Sequence, residues 1–149
     1  MRTVLFVCTG NTCRSPMAEA IARHLQRQGK LPEDLFFASA GTSAADGWPP
    51  SEETRKVLQR LGADADGHSK PLTAAMVQKA DLVLGMTRSH VGGAKALVGE
   101  VGSQADKVQT LDPNGDIADP MGHDQDVYDA VGKRLLELIP QRLREMLTS

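Results

Sequence analysis

Aromatic residues are scarce in this chain, with three Phe, one Tyr and one Trp among 149 residues. So few rings offer no platform on which nucleic-acid bases could stack. Basic runs are missing as well: Lys and Arg total 17 against 19 Asp and Glu, for a formal charge of −2. Nothing here tracks a phosphodiester backbone, and no nucleic-acid partner is expected. The N-terminal apolar run, Val4 to Cys8, is too short for the core of a secretion signal and far too short to cross a bilayer. These absences place the protein in the cytoplasm, away from membranes. Only two cysteines occur, Cys8 and Cys13, too few for a disulfide framework. A chain of this length does not need one, because it buries roughly two thirds of its unfolded surface. Residues 1–149 therefore read as one domain, and the low aromatic content points to a monomer.

What is present is an alternation of β-rich apolar runs with helical patterns. Thr3 to Val7 reads as a strand. Pro16 to Gln28, where Met17, Ile21 and Leu25 recur every four residues, reads as a helix. Leu35 to Ala38 is a second strand, followed by a Gly/Pro/Ser segment and a helix from Ser51 to Leu61 that ends at Gly62. Thr73 to Lys79 is a short helix and Asp81 to Met86 a buried strand. Residues 88 to 105 form a weak helical pattern broken by Gly92, Gly93, Gly99 and Gly102. Lys107 to Leu111 is a fourth strand. Gln125 to Leu147 is helical, with Pro140 expected to kink or restart it. This order predicts an α/β fold, a three-layer αβα sandwich around a four-stranded parallel sheet. Ligands of such sheets bind at the carboxyl ends of the strands.

One such end carries Val7-Cys8-Thr9-Gly10-Asn11-Thr12-Cys13-Arg14-Ser15-Pro16. Five residues separate Cys8 from Arg14, among them the turn formers Gly10 and Asn11, so the segment can curl around an anion. Ser15-Pro16 reads as a helix N-cap with proline at the first helical position, which aims unpaired N–H groups at the loop's centre. A phosphate held there would meet Arg14 as a bidentate clamp. The same positive field favours the Cys8 thiolate over the thiol. With two cysteines and ten arginines in 149 residues, the bare spacing arises by chance about one time in eight, so its strand-to-helix setting carries the argument. The competing reading is two small apolar cysteines packed under a structural loop. Zinc lacks ligands, since no His neighbours the pair. A cysteine that displaces a phosphoryl group also needs an acid for the leaving atom. Asp119, biased to an extended conformation by Pro120, is that candidate. Asp112, also before a proline, and Asp116 compete with it, and a surface turn aspartate is the alternative for all three.

Together with Ser39-Ala40-Gly41-Thr42, His68-Ser69-Lys70-Pro71-Leu72, Ala80 to Leu84 and Asp119-Pro120, the loop resembles the low-molecular-weight protein tyrosine phosphatase family, and within it most closely the bacterial protein arginine phosphatases. The resemblance spans nearly the whole chain. It implies a flavodoxin-like sheet, Cys8 as nucleophile, Arg14 as phosphate clamp, and Asp119 as general acid and then base, with no metal or cofactor. Phosphorylated proteins are the implied partners, their phosphate or another oxyanion seated in the loop of Thr9, Gly10, Asn11, Thr12, Cys13 and Ser15. Asn11, Ser15, Ser39 and His68 are implied to brace that loop by hydrogen bonds. Cys13 is implied to close a reversible disulfide with Cys8 under oxidation; plain loop packing is the alternative.

Substrate choice turns on Thr12, where tyrosine-directed relatives usually carry a larger aliphatic residue. A hydroxyl there can accept or organise water around a guanidinium that an apolar wall would leave unpaired. The acid loop lacks the aromatic pair that stacks a phenol ring, although Met121 stands where arginine phosphatases usually have Phe. Trp48 falls in a stretch that walls the family's cleft and is expected to touch substrate; capping the core is its alternative. His24, His90 and His123 read as surface or packing residues. Asp124, Asp126 and Asp129 favour the start of the last helix. The leading expectation is a cysteine-dependent phosphatase preferring phosphoarginine. Phosphotyrosine hydrolysis is the near alternative, followed by arsenate reduction and a non-catalytic phospho-ligand module.

Overall fold

A computed structural model describes residues 1–99 and 102–147. Four strands, β1 (Arg2–Cys8), β2 (Leu35–Gly41), β3 (Leu82–Gly85) and β4 (Val108–Thr110), form one sheet in the order β2-β1-β3-β4. Every pairing is parallel. β1 lies inside the sheet and is buried on both faces, which explains its unbroken apolar sequence. Its side chains divide by parity. Val4, Phe6 and Cys8 join one core with α1 (Arg14–Arg27), α2 (Glu52–Leu61) and α6 (Gln125–Leu147). Phe6 stacks there on Phe37 with ring centroids 6.2 Å apart. Leu5 and Val7 join the other core with α3 (Ala74–Lys79) and α4 (Arg88–Val98). The short α5 (Ser103–Asp106) leads into β4. The result is the expected three-layer αβα sandwich.

Three local expectations are corrected. The first helix begins at Arg14, with Cys13 and not Ser15 at the N-cap and no side-chain cap bond. Pro16 fits the first turn because an N–H there would have no intrahelical acceptor, and the Ser15 hydroxyl is engaged elsewhere. Gly92 and Gly93 do not break α4. A Cβ on Gly93 would lie 3.1 Å from Thr42 Cγ2, so this glycine serves close packing. The helix stops only at Gly99, with φ of +94°. Pro140 does not restart α6, which runs continuously across it. Leu135, Leu138, Ile139 and Leu143 are buried on either side of the proline, and this shared anchoring outweighs the single lost hydrogen bond.

β1 meets β2 on one side and β3 on the other, so the chain leaves its carboxyl end at the point where the connections diverge. Crevices in parallel sheets open there.

Candidate active site

Cys8 is the last residue of β1 and is buried. The loop after it is fastened from outside through its carbonyls: Thr42 N–H donates to Cys8 O at 2.9 Å, Ser43 N–H to Thr9 O at 3.0 Å, and Ser51 N–H to Thr12 O at 2.8 Å. That fixes the loop's curvature, and the amides of the first turn of α1 open onto the same concavity. Asn11 takes the left-handed conformation, φ +56°, an energetically sparse choice for a side chain other than glycine. Its amide supplies the compensation. Nδ2 donates to Ser15 Oγ at 2.8 Å and to Ser39 Oγ at 3.0 Å, while Oδ1 accepts the Lys70 N–H at 3.0 Å.

These bonds give the hydroxyls a direction. Ser39 donates to Glu19 Oε1 at 2.7 Å, and Glu19 is itself paired with Arg23 at 2.6 Å. Ser15 already accepts from Asn11, so its own proton is available to Cys8 Sγ, 2.8 Å away. The sulfur at the end of β1 is thus the last acceptor of a chain of hydrogen bonds that starts at Asn11. Glu19 and Arg23 went unassigned in the sequence; the recurrence of Glu19 one turn after Ser15 is the only signal there.

Arg14 is buried, and its Nη1 donates to Ile117 O at 2.9 Å. Nη2 lies 3.6 Å from Asp119 Oδ2. The Ile117 carbonyl anchors one end of the guanidinium, and an oxyanion in the cleft would share the Nη2 end with Asp119. Asp119 Oδ1 accepts the Met121 N–H at 3.1 Å, which sets the carboxyl's orientation beside Pro120. The competing aspartates are occupied elsewhere. Asp116 accepts the Arg88 N–H at 3.0 Å, and Asp112 pairs with Arg134 at 2.7 Å. One small cleft is lined by Cys8, Thr12, Arg14, Asp119 and Met121 together with Thr9, Gly10 and Cys13. It brings together the expected nucleophile, clamp and acid.

Other expected site residues are placed differently. Trp48 is 63% exposed, which excludes the core-capping alternative, and it does not line the small cleft. Its backbone is tied to Ser69 by the Ser69 N–H at 2.7 Å. His68 is exposed, and among the described residues no side-chain hydrogen bond joins it to the loop. The brace expected of it comes from its neighbour Lys70 through a backbone N–H, because the chain turns His68 outward. Cys13 Sγ is surrounded by hydroxyls, those of Ser51 and Tyr128 at 3.6 Å each and Thr12 at 3.8 Å. Burial, then the contact with Cys13, pushes the Tyr128 phenol up to about 12. Both cysteines are free. His90, read from sequence as a surface or packing residue, is buried with both ring nitrogens engaged. Its spacing from Thr87, matching a helix capping box, is the signal that could have found it.

Gly41 shows how tightly the loop is held. A Cβ there would collide with the Thr9 carbonyl oxygen and lie 2.8 Å from Ala44 Cβ and 3.0 Å from Asn11 N. Two of these three are backbone atoms of the loop. Gly41→Ala is therefore expected to cost about 1–3 kcal/mol of stability and to lower turnover of p-nitrophenyl phosphate more than tenfold, checked by thermal melts and steady-state kinetics. A wild-type rate would show that the loop tolerates displacement.

Comparison with known proteins decides the lineage. The profile of the low molecular weight phosphotyrosine protein phosphatases matches residues 3–149. The chain belongs to this family. Within it, the chain is 34% identical over 148 residues to a protein-arginine-phosphatase of Bacillus subtilis, covering 96% of this chain and 95% of that one. It is 40% identical over 150 residues to the protein-arginine-phosphatase of Geobacillus stearothermophilus, with 97% and 95% covered. Among solved low molecular weight phosphatase structures, it superimposes on the YwlE arginine phosphatase bearing a phosphorylated active-site serine with a TM-score of 0.88, at 33% identity over 99% of this chain and 96% of that one. A low molecular weight protein tyrosine phosphatase from T. tengcongensis gives 0.83 at 38% identity, with 98% and 99% covered. Among the described residues of this family member, no cluster of three or more His, Cys, Asp or Glu side chains could hold a metal ion. No described helix is long and apolar enough to cross a membrane.

Proposed function

We propose that this phosphatase hydrolyses phosphorylated protein side chains through a phosphocysteine intermediate and prefers phosphoarginine. The observation that carries the reading is the single cleft in which Cys8, held 2.8 Å from Ser15 Oγ, faces Arg14 and Asp119, themselves 3.6 Å apart. The Cys8 thiolate attacks phosphorus and forms the S–P bond as the bond to the leaving nitrogen or oxygen breaks. Asp119 protonates that atom. The now ionised Asp119 takes a proton from water, whose oxygen attacks phosphorus, and the S–P bond breaks to release phosphate and restore the thiolate. Arg14 and the loop amides hold the equatorial oxygens throughout, where the transition-state charge spreads. The phosphorylated active-site serine of the relative supports a covalent intermediate at the same loop position.

Preference for arginine rests on Thr12, which lines the cleft, and on Asp119, which can protonate the leaving guanidino nitrogen and, once ionised, pair with the guanidinium that results. Two curated relatives named arginine phosphatases support it. The exposed Trp48 ring is available to a substrate reaching past the cleft rim. Rates on phosphoarginine and phosphotyrosine peptides test the preference. Wild type is expected to favour phosphoarginine, and Thr12→Ile to shift the ratio toward phosphotyrosine by roughly tenfold or more, the scale set by leaving polar groups unpaired against an apolar wall. An unchanged ratio would remove Thr12 from the specificity account. Arsenate reduction is not supported by these relatives, and Cys13 alone would be at hand to pass electrons on.

We read residues 1–149 as one catalytic domain working as a cytoplasmic monomer, a setting that suits two free, buried cysteines. Reversible inactivation belongs to the same reading. Peroxide would convert the Cys8 thiolate to a sulfenic acid, and Cys13 would condense with it, releasing water. Cys13 would first have to leave its contacts with Ser51 and Tyr128.

A further inference from the structure

Thr9, the first residue after the nucleophile, is gripped from both neighbouring strands. On the β2 side its carbonyl accepts the Ser43 N–H at 3.0 Å. On the β3 side its hydroxyl lies 2.8 Å from His90 Nε2. His90 stands in the first turn of α4, just beyond β3, and its other ring nitrogen, Nδ1, accepts the Thr87 backbone N–H at 3.1 Å. A ring nitrogen that accepts from an amide cannot carry the ring's single proton. The neutral imidazole is thus protonated at Nε2, and the Thr9 hydroxyl is its acceptor. Burial first, and then the Arg14 guanidinium, bring His90 down to about 4, against the opposing pull of Asp116 and Asp119. The ring is neutral at pH 7. Having accepted from His90, Thr9 keeps its own hydroxyl hydrogen for the cleft that it lines.

We propose that His90 is a positioning residue of the reaction: through the Thr9 hydroxyl it holds the loop segment next to Cys8 in its oxyanion-binding curvature. It touches no substrate atom. One imidazole serves two elements, closing the capping box of α4 with Nδ1 and fastening the nucleophile's loop with Nε2. The loop is thereby coupled to β3 and α4, just as Thr42 and Ser43 couple it to the exit of β2. This proposal rests on the catalytic reading above.

The test is a double-mutant cycle on p-nitrophenyl phosphate hydrolysis, with kcat and KM measured for wild type, His90→Ala, Thr9→Val and the double variant. Loss of one buried hydrogen bond sets the scale. His90→Ala is expected to lower kcat/KM roughly tenfold, with Thr9→Val lowering it by at least as much. In the Thr9→Val background, His90→Ala should change it less than twofold. His90→Gln, whose amide N–H reaches the Nε2 position and whose side chain suits the third position of a helix, should restore most of the wild-type rate. A general structural defect would reduce activity equally in both Thr9 backgrounds, so full additivity overturns the proposal, as does a wild-type rate in His90→Ala. If His90→Ala does not fold, His90→Phe keeps the ring volume without the N–H and takes its place in the cycle. An inactive wild type would sink the catalytic reading together with this proposal, whereas an active wild type with additive losses sinks this proposal alone.

Discussion

Cys8→Ser is expected to leave a folded protein that binds oxyanions but scarcely turns over. Replacing sulfur by oxygen removes little volume from a buried site and keeps a partner for Ser15, so the thermal midpoint should move only slightly. The chemistry changes far more. A hydroxyl is a far weaker nucleophile than a thiol, and the cleft places no base beside it: the Ser15 hydroxyl is a donor in its network, and Asp119 lies across at Arg14. Removing an essential nucleophile costs on the order of 10⁴-fold or more in kcat. Hydrolysis of p-nitrophenyl phosphate should fall to background, while calorimetric titration with orthovanadate or tungstate still shows one site, because Arg14 and the loop amides are untouched. Residual turnover within tenfold of wild type would point to a different nucleophile.

Asp119→Asn is expected to slow the chemistry while strengthening oxyanion binding. Its carboxyl side chain is about half exposed, at 53%, so stability should be nearly unchanged. Loss of a general acid costs about 10²–10⁴-fold, and the cost should grow with the basicity of the leaving atom. The deficit should therefore be larger on phosphotyrosine or phosphoarginine peptides than on p-nitrophenyl phosphate, whose leaving group departs as a stable anion. Inorganic phosphate should at the same time bind more tightly, since Arg14 loses its competing carboxylate and the phosphate loses a like-charged neighbour. Competition kinetics with phosphate check this. An equal loss on all substrates, with unchanged phosphate affinity, would reassign Asp119 to a structural role.

The catalytic outline was legible because its parts are local or carry strong backbone signals. Cys8 and Arg14 share one strand-loop-helix unit, whereas the proline after Asp119 left Asp112 in competition and the family resemblance chose between them. The β/α alternation dictated a parallel sheet, and β1's apolar run announced its burial on both faces. What escaped the sequence depends on which strands become neighbours. His90 reads as an ordinary helix residue until β3 pairs with β1 and sets α4 beside the loop. His68 and Lys70 are two residues apart, and a single turn of backbone decides which of them meets Asn11. The helix start shifted because the Ser15 hydroxyl is more useful to Cys8 than to an N-cap. At Pro140 and Gly92-Gly93, packing overrode residue preferences that hold for isolated helices.

The immediate partners of the nucleophile and the expected acid come from parts of the chain far apart in sequence. Cys8, Asn11, Ser15, Glu19 and Ser39 all lie within the first 39 residues, whereas Arg14 is steadied by the carbonyl of Ile117, 103 residues onward, in the segment that also carries Asp119. A molecule in which only the segment of Ile117 and Asp119 had come loose would keep Cys8 beside Ser15 and lose the means to finish the cycle. Completion of the fold thus doubles as the licence for hydrolysis.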